Sequence, residues 1–538
     1  MANKTLFKSL RGALAPKTDT VNEAGGNAYA LSAQAALVQI AVTGCLNQTF
    51  YASAEDQLEA LMDWAAQVDD TFLAQVAIYA REHGFMKDTP ALLCAILASR
   101  HSAMLAEIFP RVINSGKMLR NFVQIMRSGV TGRKSLGSAP KRLVQNWLNT
   151  ASERALLSAS VGQSPSLADV VKMVHPKPAD ASRTAFFAWL IGKEFVAGDL
   201  PQAVQEFEAW KADRSLPLPK VPFQMLTAQE LGQAEWTQIA TNASWQMTRM
   251  NLNTFARHGV FEVPGMTERI AERLADPQEV ERARAFPYQL MAAFVNVSEQ
   301  VPSRVKNALQ TAMEFALANV PAITRPDGAA AKVVVCADVS GSMRSPVSGY
   351  RRGATSTVRC VDVAALVAAA VLRKNRDALV LPFENAVVET LEMNPRDAIM
   401  TNAQKLAAVG GGGTNCSAPL HWINQRKQHV DLVFFVSDNE SWVDAQRGRG
   451  TKTMEAWNAI KARCPNAKLV CLDIQPYTHT QAAEREDILN VGGFSDQVFQ
   501  IVSAFAQGEL RGETLVDTIG RIVIETPPRA SREVTSHQ

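Results

Sequence analysis

Five oxygen-bearing side chains fall in three short stretches of the C-terminal part of the chain. Asp338, Ser340 and Ser342 form a DxSxS loop, Thr414 follows the glycine run Gly410–Gly413, and Asp438 sits in Ser437-Asp438-Asn439. Two carboxylates and three neutral hydroxyls are hard oxygen ligands. They suit a divalent cation, Mg²⁺ or Mn²⁺, with waters completing an octahedron. An open position on such an ion would attract an anionic oxygen from a partner.

Other chemistry fits these residues less well. A haloacid-type phosphatase needs a second Asp two residues after its nucleophile, where Ser340 stands. A serine hydrolase elbow needs GxSxG, but Asp338 occupies the first glycine position. The Gly410–Gly413 run holds neither GxxxxGK[ST] nor a complete GxGxxG, so it reads as a turn that lets backbone approach the metal. Asp and Ser do favour helix caps, yet ordinary capping would have to coincide in three separate loops.

Each loop must be held by an element. Short β-branched runs at Lys332–Ala337, Ala378–Pro382, Asp431–Ser437 and Lys468–Ile474 alternate with helical stretches such as VDVAALVAAAVLRKN and TMEAWNAIKAR. Buried apolar strands alternating with helices predict a parallel sheet covered on both faces, an α/β doubly wound domain. Ligands of such sheets sit beyond the carboxyl ends of the strands, where the DxSxS and Ser-Asp loops fall. The order strand–DxSxS, Gly-Thr, strand–Ser-Asp resembles the metal-ion-dependent adhesion site of von Willebrand factor type A domains.

The preceding 320 or so residues read differently. QLEALMDWAAQV, TFLAQVAIYAREHG, TPALLCAILASR and SRVKNALQTAMEFALANV carry apolar residues at three- and four-residue spacing, with helix starts signalled at Ser53 and Thr89-Pro90. No strand pattern of useful length appears there. Stacked helix pairs, an all-α HEAT-like repeat array, would bury each apolar face against the next. ITRPDGAAA, 323–331, reads as a linker, giving two parts: 1–325 helical and 326–538 α/β.

The 538-residue chain carries 55 Lys and Arg against 52 Asp and Glu, and that near balance conceals an uneven distribution. Within Ile108–Ser152 stand eight bases (Arg111, Lys117, Arg120, Arg127, Arg133, Lys134, Lys141, Arg142) and no acid. An uncompensated run of this kind suits a phosphate backbone, although many basic runs are simply solvated faces. Lone His175, in MVHPKP, reads by default as a helix-end residue. Seven cysteines, an odd number with no CxxC pair, fit reduced thiols and argue against disulfides or a cysteine zinc site. No apolar stretch is long enough to span a membrane and the N-terminus lacks a signal-peptide core, so a cytoplasmic location is expected.

Six stretches together resemble the Ro autoantigen family, a helical TROVE module followed by a von Willebrand A domain: GGNAYALS at 25–32, MKDTPALL at 86–93, LGSAPKRLVQNWL at 136–148, DVVKMVHPKP at 169–178, MTRMNLNTFARHGVF at 247–261 and VCADVSGSM at 335–343. The resemblance implies a monomeric ring of helical repeats. It also implies binding of small noncoding Y-like RNA on the basic outer surface, and of single-stranded 3′ ends of misfolded RNA in the hole. RNA quality control with an exoribonuclease, such as polynucleotide phosphorylase, follows from the bacterial members. Asp338, Ser340, Ser342, Thr414 and Asp438 match the family's metal site, while His175, Lys141 and Arg142 match positions of its RNA-contacting surface. Lys117, Arg120, Arg127, Arg133 and Lys134 join these from the charge pattern. One departure stands out: the family's basic stretch before the histidine-bearing helix is here the neutral ALLSASVGQSPS.

The expectation is therefore a non-catalytic RNA-binding protein. A metal-dependent adaptor that captures an acidic group of a protein partner is the alternative. A nuclease lacks the acids for a second metal and a suitably spaced general base.

Overall fold

The computed structural model describes residues 18–21, 26–42, 54–84, 86–347, 358–438, 440, 451–475, 479–483, 485–494, 498–508 and 515–525. Ser53, Cys45 and Asn439 lie outside the described residues. By contact the chain groups into two compact units, Met1–Trp64 with Glu230–Val516, and Ala65–Gln229 with Asp517–Gln538. The division near residue 326 follows a change in local sequence pattern; contact grouping follows a different line.

The first unit is built on a five-stranded parallel sheet. Its strands are β3 (Val333–Asp338), β4 (Leu379–Phe383), β5 (Leu432–Ser437), β6 (Lys468–Asp473) and β8 (Ile488–Gly492), in the order β4-β3-β5-β6-β8. Four of these match the expected runs to within a residue or two at their ends. The fifth, ILNVG, is short and contains Asn and Gly, which is why no strand was expected there. Alternate residues face opposite sides. Val334, Cys336, Val433, Phe435, Leu469 and Cys471 share one core with Trp457 and Ile460 of the helix Lys452–Arg463. The opposite face is covered by the helix Cys360–Lys374, which is buried from Val363 to Leu372. Each buried Val, Leu, Ile or Phe among these contributes about 1.5–3 kcal/mol.

Three short strands form a second sheet in this unit: β1 (Thr20–Val21), β2 (Asn27–Ala30) and β7 (His479–Thr480), with Ala30 opposite His479. β1 and β2 belong to a part expected to be helical throughout; at two and four residues they are too short for periodicity to reveal. The supposed linker is likewise tied down. Ile323 exchanges hydrogen bonds with the Asn375 side chain at 3.0 and 2.8 Å, and Thr324 bridges Ala330 as a hairpin.

The second unit is helical. Asp70–Glu82 packs on Asp88–Ser99 and Met104–Val112; Gly116–Ser128 packs on Asp88–Ser99 and Glu153–Ser160. These helices have local causes. Asp69 caps the first by accepting from Phe72 N at 2.8 Å, and Ser115 caps Gly116–Ser128 through Met118 N at 3.3 Å. Gly129 ends that helix with φ of 90°. Gly116 is required by contact, because a Cβ there would lie 2.1 Å from that of Ala159. Burial of Met118, Leu119, Phe122, Val123 and Met126 turns Lys117, Gln124 and Arg127 outward. Among the described residues, no helix is long and apolar enough to cross a membrane. The six described cysteines are unbridged.

Candidate metal centre and basic surface

β3 and β5 are adjacent parallel strands, with Val333 opposite Leu432. Their carboxyl ends therefore deliver Asp338 and Ser437-Asp438 side by side. Asp338 accepts from Ser340 N at 2.8 Å and from Ser437 Oγ at 2.6 Å, which fixes both carboxylate oxygens. Ser340 Oγ and Ser342 Oγ lie 3.3 Å apart, and Ser342 donates to Asp438. The glycine run joins them through Gly341 N, which donates to Gly412 O at 2.9 Å. Gly410, with φ of 83°, passes so close that a Cβ would lie 2.3 Å from Val339 O. Thr414 follows four residues later and is buried. The structure thus gathers all three predicted loops at one edge of the sheet.

The electrostatics of this cluster are uncompensated. Asp338 is 0% and Asp438 2% exposed, and no described Lys, Arg or His forms an ion pair with either. Burial pushes the Asp338 carboxyl above its ordinary range against the hydrogen bonds from Ser340 and Ser437. Burial, then the nearby Asp338 charge, pushes Asp438 up much further, with Glu440 adding to the repulsion. A divalent cation would relieve both effects, and the donor set of two carboxylates and adjacent hydroxyls is one that Mg²⁺ accepts. No group of three or more His, Cys, Asp or Glu gathers as a metal-binding cluster among the described residues, so the hydroxyls would be essential to any ion held here.

The basic segment resolves into cations of two kinds. Lys117, Arg127, Lys134 and Arg142 are exposed, and none forms an ion pair among the described residues. Arg133, by contrast, turns inward to donate to Ala98 O at 2.9 Å. Arg120 packs under Gly162 and reaches Pro165 O at 3.5 Å, and burial lowers its pKa. Arg111 forks onto Glu82 and donates to Val523 O. Lys134 lies in the loop before Ser138–Thr150, so it does not share a continuous helix with Lys141. His175 is exposed and ends the helix Leu167–Val174 in a left-handed conformation, φ 50°. Gln145, one turn beyond Lys141, donates to Val174 O at 2.5 Å and so ties the His175 turn to the helix bearing Lys141 and Arg142.

The TROVE domain family matches residues 117–395, just over half of the 538. The chain belongs to the Ro family. The Ro60 vWA domain family matches residues 332–506, the stretch that carries the parallel sheet and the DxSxS, glycine and Ser-Asp loops. The chain is 28% identical to RNA-binding protein RO60 of Deinococcus radiodurans, over 94% of its own length and 100% of that protein's. It is 23% identical to RNA-binding protein RO60 of Caenorhabditis elegans, over 45% of this chain and 37% of the worm protein. The crystal structure of the Deinococcus radiodurans RO (RSR) protein superposes with a TM-score of 0.61 at 24% identity, covering 89% of this chain and 100% of that one, which establishes the shared fold.

Within this family member, some residues escaped the charge count. Lys172, outside the acid-free window, lines a cavity of about 780 Å³ with Arg127. Lys87 is held below its ordinary pKa by burial and by the charges of Lys117 and Arg81. Helix packing brings both to the segment from elsewhere in the chain. Glu384, just after β4, accepts from Gly412 N at 2.7 Å and positions the glycine loop. Its place directly after a strand was the available signal.

Proposed function

We propose that the chain is a non-catalytic RNA-binding Ro protein. Small noncoding Y-like RNA would bind the basic surface of the helical unit, and single-stranded 3′ ends of misfolded RNA would enter a ring formed by a single chain. Membership of a family whose curated relatives are named RNA-binding proteins supports this reading. The observation that carries it for this chain is the exposed set Lys117, Arg127, Lys134 and Arg142, none of them in an ion pair among the described residues, with Lys172 beside Arg127 and a single acid, Asp169, near those two. Such cations gain more from phosphates than from water, because each contact releases condensed counterions. The neutral Ala155–Ser166 stretch shifts the weight of recognition onto Gly116–Ser128 and Ser138–Thr150. An exoribonuclease of the polynucleotide phosphorylase type is the protein partner this reading implies, in the cytoplasm.

A divalent cation, Mg²⁺ or Mn²⁺, would be held by Asp338, Ser340, Ser342, Thr414 and Asp438. It would supply a Lewis-acidic anchor for an anionic oxygen. Ser437 and the Ser340 backbone hold the Asp338 carboxylate in place, and Glu384 holds the glycine loop. A second reading rests on the buried, mutually repelling carboxylates: an adaptor that captures a partner's acidic group through the ion. Sequencing RNA that copurifies with the protein, and with a Lys134→Gln/Lys141→Gln/Arg142→Gln variant, separates the two. Enriched stem-loop RNA that is lost in the variant is expected. No enriched RNA with either protein would favour the adaptor.

A further inference from the structure

The amino end of the parallel sheet, opposite the metal loops, carries a different chemistry. The segments leading into β5 and β6, with the last turn of the helix Lys452–Arg463, line a cavity of about 910 Å³. Cys464 caps that helix. Its Sγ lies 3.5 Å from His429 Nδ1, and His429 Nε2 lies 3.6 Å from Asp431 Oδ1. Thiol, imidazole and carboxylate thus stand in line, and all three line the cavity. The His429 side chain is 57% exposed while Cys464 is 3% exposed, so the sulfur is the floor of the cavity and the imidazole its wall. With the ring proton on Nε2, facing Asp431, Nδ1 is left to accept the thiol proton.

This arrangement distinguishes Cys464 from its counterparts. Burial pushes the thiols of Cys94, Cys336 and Cys471 upward, the last to about 12. Those are inert core sulfurs. Cys464 sits at a helix C-terminus, whose dipole disfavours a thiolate, so a thiolate there relies on the His429 imidazole together with the nearby Lys461 charge. The other charges facing His429 are engaged locally. Lys461 pairs with Asp487 at 3.7 Å, Lys468 donates to Phe505 O, and Arg463 donates to Gln428 O at 3.1 Å. At the rim, Arg325 pairs with Asp327 at 2.9 Å and Glu486 is exposed. A mixed-charge rim of this kind suits a ligand bearing both ammonium and carboxylate groups.

We propose that Cys464 is a thiol-modification site that takes a small zwitterionic disulfide, of the kind formed by a cysteine-containing peptide. His429 accepts the thiol proton and the thiolate attacks one sulfur of the disulfide. The bond between Cys464 Sγ and that sulfur forms as the disulfide's S–S bond breaks. The departing thiolate then takes the proton from His429. The disulfide supplies the oxidising equivalents, so no other oxidant is needed. Asp431 is a positioning residue that faces the Nε2 side of the ring and leaves Nδ1 turned toward the thiol.

The test reacts the reduced full-length protein with glutathione disulfide and maps the adduct by mass spectrometry over time. Cys464 should be modified well before Cys94, Cys336 or Cys471. His429→Ala should slow it by about tenfold or more, the loss expected when a thiol is deprived of its paired base. His429→Gln, which keeps a polar side chain without the base, should be as slow. Asp431→Asn should slow modification of Cys464 while leaving the core cysteines unchanged, and Asp431→Glu, which keeps the carboxylate, should restore most of the rate. Modification of Cys464 no faster than the core cysteines, or an unchanged rate in both folded His429 variants, would overturn the proposal.

Discussion

Asp338 and Asp438 are almost sealed from water, whereas Lys117, Arg127, Lys134 and Arg142 project into it. The first pair belongs to loops fixed by strand ends, with Asp338 placed by short hydrogen bonds and the glycine loop by a close approach. The four cations sit on helix surfaces and in a loop, held only by the apolar faces beneath them. One region stores like charge in a low-dielectric position, where an ion would have a large effect; the other spreads like charge over a solvated surface, where each group has a small one. Replacing one residue should therefore be severe in the first region and graded in the second.

The largest expected effect is structural. Gly410→Ala places a methyl group 2.3 Å from Val339 O at a positive φ, and should cost about 3 kcal/mol or more in denaturant unfolding. A loss below about 1 kcal/mol would mean that the glycine loop is free to move off the DxSxS turn.

Next comes the ion. Mg²⁺ at 100 times its Kd should stabilise the protein by about 2.7 kcal/mol, read as a rise in Tm over protein in EDTA. Asp338 and Asp438 have raised pKa values in the folded protein, so without metal their contribution is fullest when they are protonated and declines as pH rises through the folded values. Protons and Mg²⁺ compete for the same oxygens. The Mg²⁺-induced shift should consequently be larger at pH 8 than at pH 5, and Asp438→Asn should abolish it. That same substitution should stabilise the metal-free protein at pH 8, because it removes a buried charge.

Smaller and more discriminating is the pair Arg133 and Lys134. Arg133→Gln removes a bond to a backbone carbonyl and should cost about 1–2 kcal/mol of stability, an ordinary loss for a charged hydrogen bond. Lys134→Gln should leave stability within about 0.5 kcal/mol yet weaken RNA binding. Adjacent bases with the reverse pattern would show that exposure does not sort binding cations from structural ones.

The two regions also differed in how much their sequence revealed. The candidate metal loops were legible because Asp338, Ser340, Ser342 and Asp438 fall within a few residues of a strand end and strand runs such as LVFFVS are unmistakable, while Thr414 is marked by the glycine run before it. The basic segment was legible as a charge count but not as a surface. Sequence proximity put Arg120 and Arg133 with Lys117 and Lys134, although the first two are spent on backbone carbonyls. Lys172 comes from another helix and Lys87 from the residue before one, through packing that no local pattern encodes. β1, β2 and β7 were invisible for a related reason, since two- to four-residue strands are defined by their partners. The ITRPDGAAA stretch has a linker's composition, but Asn375 fixes it, and that contact spans 52 residues of sequence.

The central claim, that the exposed cations of the helical unit bind RNA phosphates, is tested most directly by the salt dependence of single-stranded RNA affinity. It should be measured for the wild-type protein and for Lys117→Gln/Arg127→Gln/Lys134→Gln/Arg142→Gln, with melting confirming that both are folded. The slope of log affinity against log salt should flatten by about 0.7 for each phosphate contact removed, approaching about 3 in all. An unchanged slope and affinity in the folded variant would contradict the account.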